Sequence, residues 1–211
     1  MERLDFASWP RRERFEFFSH CSDPFFSVCF RLDVTKLHRY THARGLSFYY
    51  ALIWLCTRAI GEVEAFSYGM LDGELVRYES RRPSFTDLRG GSEDFYIVTM
   101  PCEGSLEEFC AAAKKKAEKQ DFFIDLAGEG IDMIFFSCLP WLDVTGLTNE
   151  RNLDPDDAIP RIAWGKFVEE NGRWMLGMSL EVNHRFIDGL HIGQFARELE
   201  KRIAELGDPS K

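Results

Sequence analysis

Apolar and polar positions change period several times along the chain, and each change predicts an element. Pro10, in a first turn after a Ser8 cap, predicts a helix to about Phe18 with Phe15 and Phe18 on one side. From Phe25 to Val34 apolar residues partly alternate (Phe26, Val28, Phe30, with Leu32 and Val34), the period of a strand. A short helix is expected from near Thr35. A second, from about Ser47 to Ile60, is apolar nearly all round and should be buried. Asp72-Gly73 stands between two short apolar runs and predicts a hairpin, because a type I′ turn needs positive φ. Residues 94–101 read as a strand, Leu106 to Gln120 as an amphipathic helix carrying Lys114, Lys115 and Lys116, and Asp132 to Cys138 as a buried strand.

The C-terminal third is patterned most sharply. Asn171-Gly172 predicts a second hairpin. In the strand that follows, Trp174, Leu176, Met178, Leu180 and Val182 share one face, and His184 continues it by period two. Gly189 breaks the pattern as a turn. A helix then runs to about Leu206, with Ile192, Phe195, Ala196, Leu199 and Ile203 at helical spacing. Mixed elements with several antiparallel hairpins predict an α/β sandwich-like fold rather than a doubly wound sheet. Neither GxGxxG nor GxxxxGK[ST] occurs, so nucleotide-binding folds lose weight.

Composition narrows the function classes. No repeat or flexible linker divides the chain, so a single domain over residues 1–211 is expected. Hydrophobic residues make up 45%, enough for a large core. A net charge of −9 gives little general attraction for nucleic acid or an anionic membrane. No apolar run is long enough to span a membrane, and the start lacks the apolar core of a secretory signal. Six scattered cysteines without a CxxC pair read as reduced core thiols of a cytoplasmic protein, with neither a disulfide frame nor a metal site. The 19 phenylalanines require burial in a core, a subunit interface or an apolar pocket.

The segment Asn183-His184-Arg185-Phe186-Ile187-Asp188-Gly189 is where chemistry is expected. An imidazole on an apolar face stays neutral, because desolvation disfavours the cation, and a neutral imidazole accepts a proton from a hydroxyl near pH 7. A core histidine before an ordinary Asp-Gly turn would show the same pattern. His20, His38 and His42 lack converging ligands for a metal. Ser179 lacks the glycines of a nucleophile elbow.

This segment resembles the HHxxxDG signature of the chloramphenicol acetyltransferases, one version of the HxxxDG motif of CoA-dependent acyltransferases. Trp9-Pro10-Arg11-Arg12-Glu13-Arg14-Phe15-Glu16 resembles the family's opening, Leu32-Asp33-Val34-Thr35 its I/L-D-I/V-T, and Leu71-Asp72-Gly73-Glu74-Leu75 its hairpin. Pro83-Ser84-Phe85-Thr86, Ser137-Cys138-Leu139-Pro140-Trp141 and Asp188-Gly189-Leu190-His191-Ile192-Gly193 follow in order, so the likeness covers about residues 8 to 203. It implies a two-layer α/β sandwich with a mixed, largely antiparallel sheet and packed helices. It also implies a homotrimer with active sites at subunit interfaces, where acetyl-CoA is the co-substrate and a small hydroxyl compound the acceptor. His184 would be the general base. Asp188 would be structural, paired with Arg11. Lys114 to Lys116 would either meet the CoA phosphates or form a solvated helix face.

Several positions depart from the family. Asn183 replaces the first histidine of the pair. Gly146 stands where the family has a serine that steadies the oxyanion, with Thr145 beside it as a possible hydroxyl donor. Ala163 replaces a threonine that assists through water, and Phe18 a tyrosine of the acceptor site. Phe26 and Phe95 fit as acceptor-pocket aromatics, so an aromatic, apolar acceptor such as chloramphenicol is expected. Poor turnover by a trimer that mainly binds ligand, or another hydroxyl or amine acceptor, are the alternatives these departures leave open.

Overall fold

The computed structural model describes residues 1–125, 130–152 and 154–207. Its strands are β1 (Glu2–Arg3), β2 (Phe25–Asp33), β3 (Tyr68–Leu71), β4 (Glu74–Arg77), β5 (Arg82–Leu88), β6 (Phe95–Thr99), β7 (Met133–Leu139), β8 (Arg161–Gly165), β9 (Val168–Glu170) and β10 (Arg173–Asn183). Its helices are α1 (Arg12–Phe18), α2 (Thr35–Arg44), α3 (Phe48–Gly61), α4 (Leu106–Lys119) and α5 (Gly189–Glu205). The main sheet has the order β2-β10-β8-β7-β5-β6, with β9 also on β10; β1, β4 and β3 form a small second sheet. Among the described strands β5–β7 and β7–β8 pair in parallel and the other ladders are antiparallel, so the sheet is mixed and largely antiparallel.

Both predicted hairpins close through positive φ: Asp72 at 53° and Gly73 at 77°, Asn171 at 52° and Gly172 at 77°. Ser47 caps α3 by accepting the Tyr50 N–H, and α3 is buried on most sides. Ser105 and Glu108 form a reciprocal capping box at the start of α4, whose three consecutive lysines are solvent-exposed. The first helix departs from expectation. Asp5 caps a short 3₁₀ turn, the Ser8 hydroxyl donates to the Asp5 carbonyl, and α1 starts at Arg12. Gly189 is likewise no turn residue; residues 184–186 make the turn and Gly189 opens α5.

Strand β10 organises the site because its two faces do different work. Leu176, Met178, Leu180 and Val182 enter the core that the helices cover. Gly177, Ser179, Glu181 and Asn183 point the other way, toward a strap of chain that follows β7 and runs along the strand. Ser179 donates to the Leu147 carbonyl at 2.6 Å, Glu181 meets the Asn149 N–H and the Arg151 guanidinium, and Asn183 donates to the Pro155 and Asp157 carbonyls. Gly177 is required here: a Cβ would lie 2.0 Å from the Val144 carbonyl oxygen. Gly177→Ala is therefore expected to destabilise the protein by about 1–3 kcal/mol through overpacking, read as a lowered melting temperature. Two thiols also depart from expectation. Cys56 and Cys110 are buried, but Cys21 and Cys29 are exposed: Cys21 lies in the turn after α1, and Cys29 occupies an odd position of β2, on the strap side rather than in the core.

Candidate active site

The sequence determines where His184 sits. β10 pairs with β2 as far as Asn183 opposite Phe25, and His184 is the first residue past that ladder. Its N–H still donates to the Pro24 carbonyl at 2.8 Å. Asn183 fixes the turn, its Oδ1 accepting the Arg185 N–H at 3.0 Å while its Nδ2 serves the strap. The His184 ring lies 3.8 Å, centroid to centroid, from Phe18 with 20° between planes, and 4.4 Å from Phe26. Its side chain is 33% exposed, so one part of the ring remains open.

Arg11 reaches this turn from the other end of the sequence. Its Nε donates to the Arg185 carbonyl at 2.9 Å, and Nη2 to the His184 carbonyl at 2.7 Å. Nη1 and Nη2 grip the two Asp188 carboxylate oxygens as a fork, the geometry to which a guanidinium is suited. Phe15 and Phe186 wall the place with rings 5.4 Å apart, and Trp9 contacts both. Asp188 Oδ1 stands 3.5 Å from His184 Nε2. No Ser, Thr or Cys side chain hydrogen-bonds the His184 ring among the described residues.

Burial holds the His184 imidazole below the ordinary histidine value; Asp188 opposes the shift and Arg11 reinforces it. The Arg11 hydrogen bond holds the Asp188 carboxyl below the usual carboxylate range, against burial. His184 thus favours the neutral form that carries a lone pair, and Asp188 the anion. His38, against Trp174 and Phe167, and His191 are also held down, chiefly by burial. In all three the folded chain resists protonation. Below about pH 6.5 the unfolded chain binds more protons, so stability is present above that pH and lost as pH falls beneath it. A lower urea midpoint at pH 5.5 than at 7.5 is expected; a higher one would mean that these rings gain a stabilising partner on protonation.

The remaining sequence-predicted residues lie elsewhere in the chain. Thr145 and Gly146 belong to the strap, on the sheet face opposite His184, and line a cavity of about 190 Å³ with Cys29 and Ser179. Ala163 is fully buried on β8 with Ser179 and Ser137 as register neighbours. Phe95, 44% exposed, starts β6 and lines a groove of about 550 Å³ with Tyr49, Tyr50 and Trp141. From the strand order and register, it lies roughly four strand spacings across the sheet from β10 and about seven residues along it, on the order of 30 Å from His184. One chain therefore assembles His184, Asp188, Arg11, Phe18 and Phe26, and separates them from Thr145, Gly146 and Phe95. Sequence reasoning names Asn183 only as a departure from the family and His191 only within a matching segment, and assigns neither a role at this turn. Asn183 is found by its Asx turn to Arg185, and His191 by its place three residues after the cap Asp188.

A sequence model of the chloramphenicol acetyltransferase family matches residues 1–200. Chloramphenicol acetyltransferase 3 of Escherichia coli is 26% identical over 202 residues, covering 94% of this chain and 95% of the relative. The chloramphenicol acetyltransferase of Staphylococcus aureus is 29% identical over 203 residues, covering 94% of each. Among solved structures, a chloramphenicol acetyltransferase superposes with a TM-score of 0.88 at 23% identity, covering 96% of this chain and 99% of the other. A dihydrolipoamide acetyltransferase of Azotobacter vinelandii gives 0.69 at 18% identity, covering 98% and 97%. At those identities the structural likeness establishes the fold.

Proposed function

This chain belongs to the chloramphenicol acetyltransferase family and is thereby a CoA-dependent acetyltransferase, and from that premise we propose that His184 is the general base of acetyl transfer to a hydroxyl, with chloramphenicol the favoured acceptor. The observation that carries this reading is a neutral imidazole, part-open to solvent, stacked on aromatics and held by the Arg11–Asp188 pair, with no nucleophile hydrogen-bonded to it among the described residues. Such a group suits direct transfer without an acyl-enzyme. The acceptor oxygen attacks the carbonyl carbon of the acetyl thioester as its proton passes to His184. The C–S bond then breaks, and the thiolate takes that proton. Acetyl ester and free thiol leave, and His184 is neutral again.

The separation of Phe95, Thr145 and Gly146 from His184 supports a composite site. A neighbouring copy supplies the groove and the base comes from this one, within a homotrimer of one-domain subunits acting in the cytoplasm. Phe18 and Phe26 would border the acceptor on the base's side.

The assay is thiol release from acetyl-CoA with chloramphenicol, alongside light scattering. Turnover by a trimer is expected; a lone 24.5 kDa subunit would contradict the composite site. Gly146 and Ala163 lack side-chain hydroxyls, which favours slow turnover on this acceptor. Gly146→Ser is expected to raise kcat at least about 10-fold, since one oxyanion donor is worth about 10²–10³. A Cβ at Gly146 meets only the Cys29 Sγ, at 3.7 Å, so the serine has room. No turnover by the trimer in either form would transfer the reading to another acceptor, or to ligand binding without transfer.

A further inference from the structure

The cap of α5 is unusual in its chemistry. A reciprocal helix cap ordinarily places Glu or Gln at the third helical position, where the side chain accepts the N–H of the cap residue. Here that position is His191, and its Nδ1 accepts the Asp188 N–H at 2.9 Å. A carboxylate or amide accepts at every pH of interest. An imidazole accepts only while neutral with its proton on Nε2, because the imidazolium has no lone pair. The acceptor that fixes the backbone of Asp188 is therefore conditional.

Asp188 is the residue through which this matters, since its carboxylate bridges Arg11 and the Nε2 edge of His184. His191 faces a cleft of about 880 Å³ between the α1 segment, the chain after α3, and α5. Its cations are Arg11 and Arg14 from the first, and Arg197 and Lys201 from α5. Its acids are Asp188, Glu62, Glu64 and Glu198, and each is engaged: Asp188 by Arg11, Glu62 and Glu198 by Arg202, Glu64 by the Tyr68 hydroxyl. An imidazolium would thus meet the Arg11 cation, and the acid nearest to it, Asp188, is already paired with that cation.

We propose that His191 is a positioning residue of the acetyl-transfer site, holding Asp188 against Arg11 and His184 through its neutral Nδ1, and that protonation of His191 opens this cap and displaces the His184 imidazole. The inference rests on reading His184 as the base. Burial, reinforced by Arg11 and opposed by Asp188, holds the His191 imidazole below the ordinary histidine value, so the cap is closed while the ring is neutral and opens on acidification.

The test uses the full-length protein and does not depend on turnover. The ring-proton NMR signal of His184, assigned through His184→Ala, is titrated in the native chain and in His191→Gln, which keeps an acceptor that cannot titrate. Native His184 is expected to respond in two steps, its own protonation and that of His191; in His191→Gln one step remains. A single step with the same midpoint in both overturns the proposal. Kinetics give the second readout: the acid limb of log kcat/KM is expected to fall with slope two in the native enzyme and slope one in His191→Gln. His191→Leu should lose at least 10-fold in kcat, with glutamine restoring part of it; equal kcat in all three also overturns it. If His184→Ala retains the native turnover, the reading of the base has failed, and the titration alone decides the coupling.

Discussion

His184→Ala is expected to reduce kcat by about 10²–10⁴-fold, the range for loss of a positioned general base, while thermal stability changes little. Both halves of this expectation come from the ring's surroundings. The imidazole lies past the β2–β10 ladder, a third exposed, and no hydrogen bond to its ring is seen among the described residues. The turn is held by other groups: the His184 N–H and carbonyl, Asn183, and Arg11. Removing the ring takes away the proton acceptor and its contacts with Phe18, Phe26 and the Asp188 carboxylate, and leaves the hydrogen bonds of the turn in place. Thiol release measured beside a melting curve separates the outcomes. A variant that melts with the native chain and retains its turnover would remove His184 from the mechanism.

Arg11→Ala should do the reverse and act on the fold first. Arg11 is buried, 9% exposed, and makes four hydrogen bonds, two to Asp188 and two to main-chain carbonyls. Alanine leaves both carbonyls without a donor and the Asp188 carboxylate without its cation. Breaking such a pair costs about 3–5 kcal/mol, and the partial exposure of Asp188 places the expectation at the lower end. For a chain of this length about 2–4 °C of melting temperature accompanies each kcal/mol, so a fall on the order of 10 °C is expected, and turnover falls with it because the His184 carbonyl is released. Lysine should rescue little, since one ammonium cannot reach four acceptors in the directions a guanidinium fork provides. A melting temperature within 2 °C of native for Arg11→Ala would show that the pair contributes nothing net.

How much of this was legible from the residues depends on how local each cause is. The two type I′ turns needed only Asp-Gly and Asn-Gly, and both have the expected φ signs. α3, α4, α5 and β10 carry their own periodicity. β5 and β8 do not. β8 is short with no alternation, β5 mixes polar residues with Pro83, and their parallel pairing with β7 is set by distant chain. The start of α1 was misplaced because Ser8 bonds back to Asp5. At the site, alternation carried His184 to the end of β10, and family resemblance alone linked it to Arg11. The roles of Asn183 and His191 stayed hidden because each acts through a main-chain hydrogen bond, which leaves no periodic trace.

The Arg11 clamp has a consequence for how the molecule is made. It joins groups 173 to 177 residues apart, and β2 joins β10 over a comparable span. Contacts of such long range slow folding, because the intervening chain must be closed into a loop before they reward it. On a ribosome Arg11 emerges well before its partners and waits, its guanidinium hydrated, until residues 184–188 have been synthesised. Acquisition of the site should therefore be the last folding event, after the core around α3 has collapsed, and nascent chains that stop before Asp188 should remain open to protease at the Trp9–Phe18 segment however well the rest has condensed.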